Sequence, residues 1–354
     1  MTPVFHSLKI ADLRRETKDT VSVALEVPDE LKKDYSFFSG QYLTFKLMVD
    51  GEEIRRSYSL CSSPFENEWR VAIKQVEDGR FSTFANNELK KGTVLEVMTP
   101  TGHFKVETNP ANEKHYVLFA AGSGITPIIS IIKSVLKNEP NSRITFFYGN
   151  KNFASIIFRE EIEALKNEYI DRLSVVHILS RESLGNALQK GRIDAEKCEK
   201  LIKTFLQHET IDGVYVCGPE QMIHAVKDSF INHGVESKKI HFELFGVPVS
   251  AKAEVTEPME NILAHVTVIM DGDALEIALN SNDENVLDAA QKAGADLPFA
   301  CKGGVCCTCK AKILEGTARM EVNYALEEEE VEAGYILTCQ AHPTSEKLVV
   351  SFDE

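Results

Sequence analysis

Ala300-Cys301-Lys302-Gly303-Gly304-Val305-Cys306-Cys307-Thr308-Cys309-Lys310 is the stretch on which the reading of this chain turns. It holds four of the chain's eight cysteines, and another, Cys339, follows in Thr338-Cys339-Gln340. Taken as Cys301-x4-Cys306-x2-Cys309…Cys339, the spacing is that of a plant-type 2Fe-2S site. Such a site needs four thiolates, three of them from one tight loop whose N–H groups face the sulfurs. Gly303 and Gly304 permit positive φ, and Val305 and Thr308 are compact. Structural zinc takes paired cysteine or Cys/His knuckles. Here Cys339 stands alone and no His falls at knuckle spacing. Cys301, Cys306, Cys309 and Cys339 are the expected metal ligands, and Cys307 reads as a small packed residue beside the loop.

A redox cluster at one end implies machinery upstream that delivers electrons to it. A chain of 354 residues, 43% hydrophobic and 26% charged, is expected to form two or three globular domains. No apolar run approaches the roughly 20 residues needed to span a bilayer. The start Met1-Thr2-Pro3-Val4-Phe5-His6 lacks a basic region followed by an apolar one, so no secretory signal is expected. Cys61, Cys198 and Cys217 are scattered, while the other five cysteines crowd the C-terminal end. That is not a disulfide framework, and it points to a reducing cytoplasm with thiolates used for metal or redox work. The net charge of −15 argues against nucleic acid or an anionic membrane as the main partner.

Residues 1–108 read as a small antiparallel β-barrel. Strand-like runs fall at 21–27, 42–49, 56–60, 69–74 and 94–99, with Asp50-Gly51 and Asp78-Gly79 as turn candidates. Only 82–89 looks helical there. Residues 112–246 alternate strands (116–121, 143–148, 173–179, 213–217, 240–245) with helices (126–137, 154–166, 194–206, 219–232). That rhythm implies an α/β domain, a parallel sheet with helices on both faces. Residues 247–262, with Pro248 and Pro258, read as a linker. Residues 263–354 form the third unit: a hairpin-like pair around Asp271-Gly272, a short helix at 285–293, the cysteine loop and a last strand at 347–352.

Two further groups of residues carry chemistry. In Arg56-Ser57-Tyr58-Ser59, strand alternation puts Arg56 and Tyr58 on one face and Ser57 on the other. A flavin nucleotide needs a guanidinium for phosphate, an aromatic ring against the isoalloxazine and small hydrogen-bonding groups such as Ser59. Gly79-Arg80-Phe81-Ser82-Thr83 opens the lone helix, and Gly79, Ser82 and Thr83 suit a diphosphate, which favours FAD over FMN. Downstream, Gly122-Ser123-Gly124-Ile125-Thr126-Pro127 follows a strand and opens a helix. Gly122 and Gly124 let a nucleotide approach the backbone beside Ser123; Thr126 fits an N-cap and Pro127 the first turn. Pro127 stands where a third glycine of G-x-G-x-x-G would be. Cys217-Gly218-Pro219 also lies at the carboxyl end of a strand, where such sheets bind ligands. Cys217 reads either as a buried core thiol or as a group beside the nicotinamide, facing the flavin. Ser180-Arg181 offers a hydroxyl and a guanidinium to a ribose 2′-phosphate, which favours NADPH over NADH.

With these motifs in this order, the chain resembles the ferredoxin–NADP reductase superfamily with a fused C-terminal plant-type ferredoxin domain. Cys301-Lys302-Gly303-Gly304-Val305-Cys306, Glu321-Val322-Asn323-Tyr324 and Ala333-Gly334-Tyr335-Ile336-Leu337-Thr338-Cys339-Gln340-Ala341 look like its subgroup of phenylacetyl-CoA epoxygenase reductases. Lys302 stands where free plant-type ferredoxins commonly carry Arg. The resemblance implies a β-grasp third domain, NADPH as donor, and hydride transfer to a flavin held near Ser59, with Ser59 and Cys217 as catalytic residues. It also implies that single electrons pass through the cluster to a partner oxygenase component, in the cytoplasm. Relatives with the same domain order serve aromatic-ring or steroid oxygenases. Glu243 and Phe245 resemble superfamily residues near the flavin. The reading from another class is a non-catalytic iron–sulfur redox sensor, which would need no nicotinamide motifs. Finally, Glu327, Glu328, Glu329, Glu330 and Glu332 form an acidic run that reads either as a solvated helix face or as a docking surface.

Overall fold

The computed structural model describes residues 4–49, 51–246 and 261–354. Most of the expected linker, and Asp50 of the Asp50-Gly51 turn, lie outside the described residues.

The first unit is a six-stranded antiparallel sheet. Its strands are β1 (Phe5–Thr17), β2 (Thr20–Glu26), β3 (Tyr42–Val49), β4 (Glu52–Ser59), β5 (Trp69–Lys74) and β6 (Val94–Met98), with helix α1 (Arg80–Asn87) between the last two. The order is β4-β3-β6-β1-β2-β5. Leu60, just past β4, bridges to Val71 of β5 and brings the two ends of the sheet together, so the sheet curls into a barrel. Inside, Tyr35 is fully buried and its hydroxyl donates to the Val97 carbonyl at 2.6 Å, while the Trp69 indole donates to the Tyr35 carbonyl at 2.6 Å. Both large rings thus enter the core with their polar atoms satisfied. The long strand β1 is hard to see in the sequence because register shifts at Ile10/Asp12 and Arg15/Thr17 break its alternation.

The second unit carries β7 (His115–Ala121), α2 (Ile125–Asn138), β8 (Arg143–Asn150), α3 (Arg159–Glu168), β9 (Leu173–Leu179), α4 (Ala195–Phe205), β10 (Gly213–Gly218), α5 (Glu220–Asn232) and β11 (Ile240–Leu244). All strand pairs are parallel, in the order β9-β8-β7-β10-β11. The order reverses between β7 and β10, and that switch point opens a crevice at their carboxyl ends. Helix α2 is apolar almost all round, with Ile125, Ile128, Ile129, Ile131 and Val135 fully buried. The reason is its position: it packs between the sheet and the barrel residues Cys61, Ala72, Phe104 and Val106. Each such side chain contributes about 1.5–3 kcal/mol, so the barrel and the sheet share one core. Hydrogen bonds from Ser130 to the Ser62 carbonyl (2.6 Å) and between Ser134 and Ser63 (2.9 Å) fix the two units in register.

The expected helix at 154–166 starts later. Asn152 and Ser155 cap a single tight turn, Ile156 is buried in extended chain and Ile157 in a turn, and Phe158 takes φ +59° before α3 begins. The core's demand for two isoleucines overrides local helical periodicity. Thr126 is likewise not an N-cap. A 3-10 turn over Gly122–Gly124 precedes α2, and the Thr126 hydroxyl donates back to the Ser123 carbonyl at 3.1 Å.

The third unit holds β12 (Leu263–Met270), β13 (Asp273–Asn280), α6 (Val286–Lys292), β14 (Lys310–Glu315), β15 (Ala318–Met320), α7 (Glu328–Glu332), β16 (Tyr335–Leu337), β17 (Ala341–Pro343) and β18 (Lys347–Ser351). Its main sheet has the order β13-β12-β18-β14-β16, with β12 and β18 parallel at the centre and α6 packed against the same core. This is the mixed sheet and clasping helix of a β-grasp fold. The outer face of the β3–β4 hairpin docks this unit. Arg55 is 5% exposed and bonds Asp296 (2.9 Å) and the Leu297 carbonyl (3.2 Å), with its guanidinium 4.2 Å from the Phe299 ring centre.

Candidate functional site

Antiparallel pairing of β14 with β16 sets Lys310 opposite Leu337, which brings Cys309 and Cys339 together from either side of that pair. The Thr338 hydroxyl adds a bond to the Cys309 carbonyl at 2.9 Å. The Cys306 thiol lies 3.1 Å from Cys301 Sγ, and the Cys339 thiol is within hydrogen-bond reach of both Cys301 and Cys309. The four sulfurs therefore form one contiguous group. Gly303 N–H donates to Cys301 Sγ at 3.3 Å and the Gln340 amide to Cys339 Sγ at 3.5 Å. Cys306, Cys309 and Cys339 are buried and Cys301 is half-buried. The left-handed residues of the loop are Lys302 (φ +49°) and Gly304 (φ +72°), not Gly303. A Cβ on Gly304 would sit 2.9 Å from the Val322 side chain, so only glycine fits. Among the described residues no three His, Cys, Asp or Glu side chains converge as a single-ion site. A two-iron cluster takes its thiolates in pairs and needs no such point, so the donor set fits it.

Cys307 turns away from this group toward the barrel. Its Sγ lies 3.5 Å from the Tyr42 hydroxyl, and its thiol hydrogen-bonds His103. Burial raises that thiol, but the bond and charge of His103, with Tyr42 and Lys310, outweigh it and hold it below its ordinary value. His103 in turn is pushed up to about 10 by Cys307 and Glu330. Glu330 bonds His103 and Lys310, each at 3.1 Å. The acidic run is thus divided: Glu330 ties two units together, while Glu327, Glu328, Glu329 and Glu332 are exposed.

The second group sits on β4. Arg56 and Tyr58 share one face, as alternation requires. Arg56 is exposed and donates to the Arg55 carbonyl at 2.7 Å; the Tyr58 ring packs at 5.4 Å from Phe81 and 6.0 Å from Phe45. Ser57 and Ser59 face the other way, Ser57 to the Thr44 hydroxyl at 2.9 Å and buried Ser59 to Glu243 Oε2 at 3.1 Å. Gly79 and Thr83 line a cavity of about 540 Å³ with Met48, Val49, Asp78 and Arg80. Ser82 is spent on the turn itself, accepting from Val76 N–H and donating to the Gly79 carbonyl, each at 3.2 Å.

The third group lines the crevice between β7 and β10. Gly122 has φ +56° and open space where a Cβ would stand, whereas a Cβ on Gly124 would meet the Cys217 carbonyl oxygen at 2.1 Å. The two loops, 122–127 and 217–219, therefore touch through glycine backbone. A Cβ on Gly218 would crowd the Met222 side chain at 2.5 Å. Ser123 is half-buried at the mouth, and Thr126 and Pro127 lie buried in the first turn of α2. Ser180 and Arg181 extend the β8–β9 pairing by bonds to the Asn150 and Lys151 carbonyls at 2.9 and 2.8 Å, which leaves the Arg181 side chain exposed at the same carboxyl edge.

These groups meet. Cys217 is paired with Glu243 in the β10–β11 register, and Glu243 accepts from Ser59. Loss of solvent pushes the Glu243 carboxyl up to about 8 against the opposing Ser59 bond, and burial drives the Cys217 thiol well above its ordinary value. Phe245, by contrast, is exposed beyond the end of β11. Tyr42 lies directly opposite Ser59 on β3 and bonds Thr308 of the cysteine loop at 3.0 Å. Tyr42, Arg55 and His103 carry no local signal in the sequence, because their partners lie 200 or more positions away.

A barrel, a parallel sheet with a switch-point crevice and a four-thiol loop joined at one junction define an NAD(P)H-dependent flavin and iron–sulfur oxidoreductase. Three family models match in that order: "Oxidoreductase FAD-binding domain" over residues 7–106, "Oxidoreductase NAD-binding domain" over 118–228 and "2Fe-2S iron-sulfur cluster binding domain" over 268–344. The chain is similar to a subunit of the 1,2-phenylacetyl-CoA epoxidase of Escherichia coli (strain K12), 43% identical over 99% of this chain and 98% of that one. It is also similar to the 3-ketosteroid-9-alpha-monooxygenase ferredoxin reductase component of Rhodococcus rhodochrous, 33% identical over 98% and 96%. The solved phthalate dioxygenase reductase shares the fold along 98% of each chain, with a TM-score of 0.60 at 23% identity. The chain belongs to the ferredoxin–NADP reductase superfamily, among the reductase components with a fused ferredoxin domain that pass electrons to a partner oxygenase. No helix among the described residues is long and apolar enough to cross a membrane.

Proposed function

We propose that this reductase takes electrons from NADPH and serves a phenylacetyl-CoA epoxygenase in phenylacetate degradation, in the cytoplasm. The full-length likeness to one component of the E. coli epoxidase supports the partner. The likeness to a ketosteroid monooxygenase component keeps a steroid or aromatic-ring oxygenase as the second reading. Eight unpaired cysteines support a reducing compartment. The three functional units are assigned to residues 1–108, 112–246 and 263–354.

The convergence of Ser59, Glu243 and Cys217 beside the cysteine loop carries the reading. When bound, FAD accepts a hydride's two electrons and the 2Fe-2S cluster passes electrons on singly. Arg56 holds flavin phosphate, with Gly79 and Thr83 at the diphosphate cavity and Ser82 shaping its turn. Tyr58 covers the ring, Ser57 supports the strand and Ser59 orients the reacting edge. Glu243, kept protonated near neutrality, donates or takes a proton through Ser59. Gly122, Ser123, Gly124, Thr126 and Pro127 form the nucleotide loop, with Gly218 and Pro219 opposite. Cys217 presents a neutral thiol to the nicotinamide, and Ser180 and Arg181 hold the 2′-phosphate. Cys301, Cys306, Cys309 and Cys339 hold the cluster.

Replacement Cys309→Ser tests the division of labour. Cluster-dependent cytochrome c reduction is lost while NADPH still bleaches the flavin. Loss of both activities in a folded variant would overturn the modular scheme.

A further inference from the structure

Tyr42 belongs to no motif, yet it joins the strand pair of the flavin unit to the cysteine loop. It is held on several sides. Its N–H donates to the Thr101 carbonyl at 2.9 Å, and Thr101 N–H returns to the Tyr42 carbonyl at 3.1 Å. Gly102, at φ +125°, lies against the ring; a Cβ there would stand 3.0 Å from ring atoms Cδ1 and Cε1. Ala300 and Cys306 pack with the buried ring in a small apolar cluster of their own. The phenol ends 3.0 Å from Thr308 Oγ1 and 3.5 Å from Cys307 Sγ. Thr308 sits between the ligand positions Cys306 and Cys309.

The other end of the residue matters equally. Tyr42 is directly opposite Ser59 in the antiparallel β3–β4 register. Directly opposed residues project from the same face, with Cβ atoms about 5 Å apart. One rigid side chain therefore measures the separation between Ser59 and the loop 301–309. A buried hydroxyl without a partner is costly, so the loop is held where Thr308 meets the phenol.

We propose that Tyr42 is a positioning residue for electron delivery into the cluster, its hydrogen bond to Thr308 fixing the loop at one distance from the flavin strand. The proposal rests on the assignment of residues 56–59 to the flavin. The step it governs moves electrons, supplied by the hydride of NADPH, singly from the flavin side to the iron of the four-cysteine side.

The test uses the full-length protein carrying both groups, mixed anaerobically with NADPH while flavin and cluster absorbance are followed separately. Tyr42→Phe keeps the rate of flavin bleaching and slows cluster bleaching about tenfold. Thr308→Val slows cluster bleaching likewise, Thr308→Ser keeps the parental rate, and the double variant Tyr42→Phe/Thr308→Val is no slower than Tyr42→Phe alone, which already removes the Thr308 bond together with the Cys307 contact. In the resting protein without NADPH, amide hydrogen exchange over residues 301–309 speeds up in Tyr42→Phe while the barrel strands stay unchanged. Parental cluster bleaching and parental loop exchange in Tyr42→Phe would overturn the proposal, as would additive effects in the double variant. A Ser59→Ala variant with parental flavin bleaching would instead overturn the flavin assignment, a separate failure.

Discussion

Replacing Glu243 with Gln should make the protein more stable at alkaline pH and a poorer catalyst. The carboxyl is held at about 8 against an ordinary 4.5, first by loss of solvent and against the Ser59 bond. Between those two values the folded protein keeps a proton that the unfolded chain has lost, so stability falls as pH rises through that window. The ionised carboxylate costs the fold at most about 5 kcal/mol above pH 8. Glu243 is half-buried, and solvent screening reduces this to about 2–3 kcal/mol. Glutamine keeps the shape and can still accept from Ser59 but does not titrate. Parent and Glu243→Gln should unfold alike below about pH 4.5, diverge progressively between pH 5 and pH 8, and keep a constant gap above it. The variant should gain about 4–10 °C in the first thermal transition at pH 8.5. Scanning calorimetry across that range measures it. Parallel curves, or a variant less stable at pH 8.5, would refute the placement of a desolvated, protonated carboxyl at this junction. The same variant should reduce the flavin more slowly at pH 7, because Ser59 then faces a group with no exchangeable acid proton.

Other perturbations separate the remaining parts. Gly124→Ala forces a methyl to within 2.1 Å of the Cys217 carbonyl, and pushing the two loops apart should cost about 2–3 kcal/mol and abolish retention on an immobilised nucleotide column. Arg181→Ala should raise the KM for NADPH far more than for NADH in steady-state assays; equal changes would remove the 2′-phosphate role. Electron transfer to the partner oxygenase should slow between 0.15 and about 1 M salt, as the screening length shrinks from about 8 to about 3 Å. Residues 261–354 hold 17 Asp and Glu against six Lys and Arg, with four of the glutamates of the acidic run exposed. A flat rate would exclude the acidic surface from docking.

Features written in short spacings were the ones the sequence disclosed. The cysteine pattern, the loop 122–127 and the strand ends near 179 and 217 each depend on neighbours a few residues apart; the structure sets the cysteine loop and Cys217 at the junction and leaves the strand end near 179 at the outer edge of the parallel sheet. Strands Tyr42–Val49, Trp69–Lys74 and Leu173–Leu179 match their expected limits because turn residues bound them sharply. The helix expected from 154 failed because burial of Ile156 and Ile157 outweighed its periodicity. Thr126 departs from the expected N-cap for a related reason: a tight glycine turn, not a side-chain cap, starts α2. The junction residues were invisible as a set. Glu243 stood out only through family likeness, and Tyr42, Arg55 and His103 acquire meaning only when distant strands are brought together. Glu330 shows the limit most clearly, since nothing in a run of identical residues marks the one turned inward to His103 and Lys310.

One chain carries electrons from nucleotide to flavin to cluster within itself. Anaerobic rapid mixing of the purified protein with NADPH, at several protein concentrations, checks this order of transfer. Flavin absorbance should bleach first and cluster absorbance second, the second at a rate independent of protein concentration, because Tyr42, Arg55 and His103 tie the unit that carries the cysteine loop to the barrel. Cluster bleaching that precedes the flavin, or whose rate rises in proportion to protein concentration, would show that electrons do not pass from flavin to cluster within one chain.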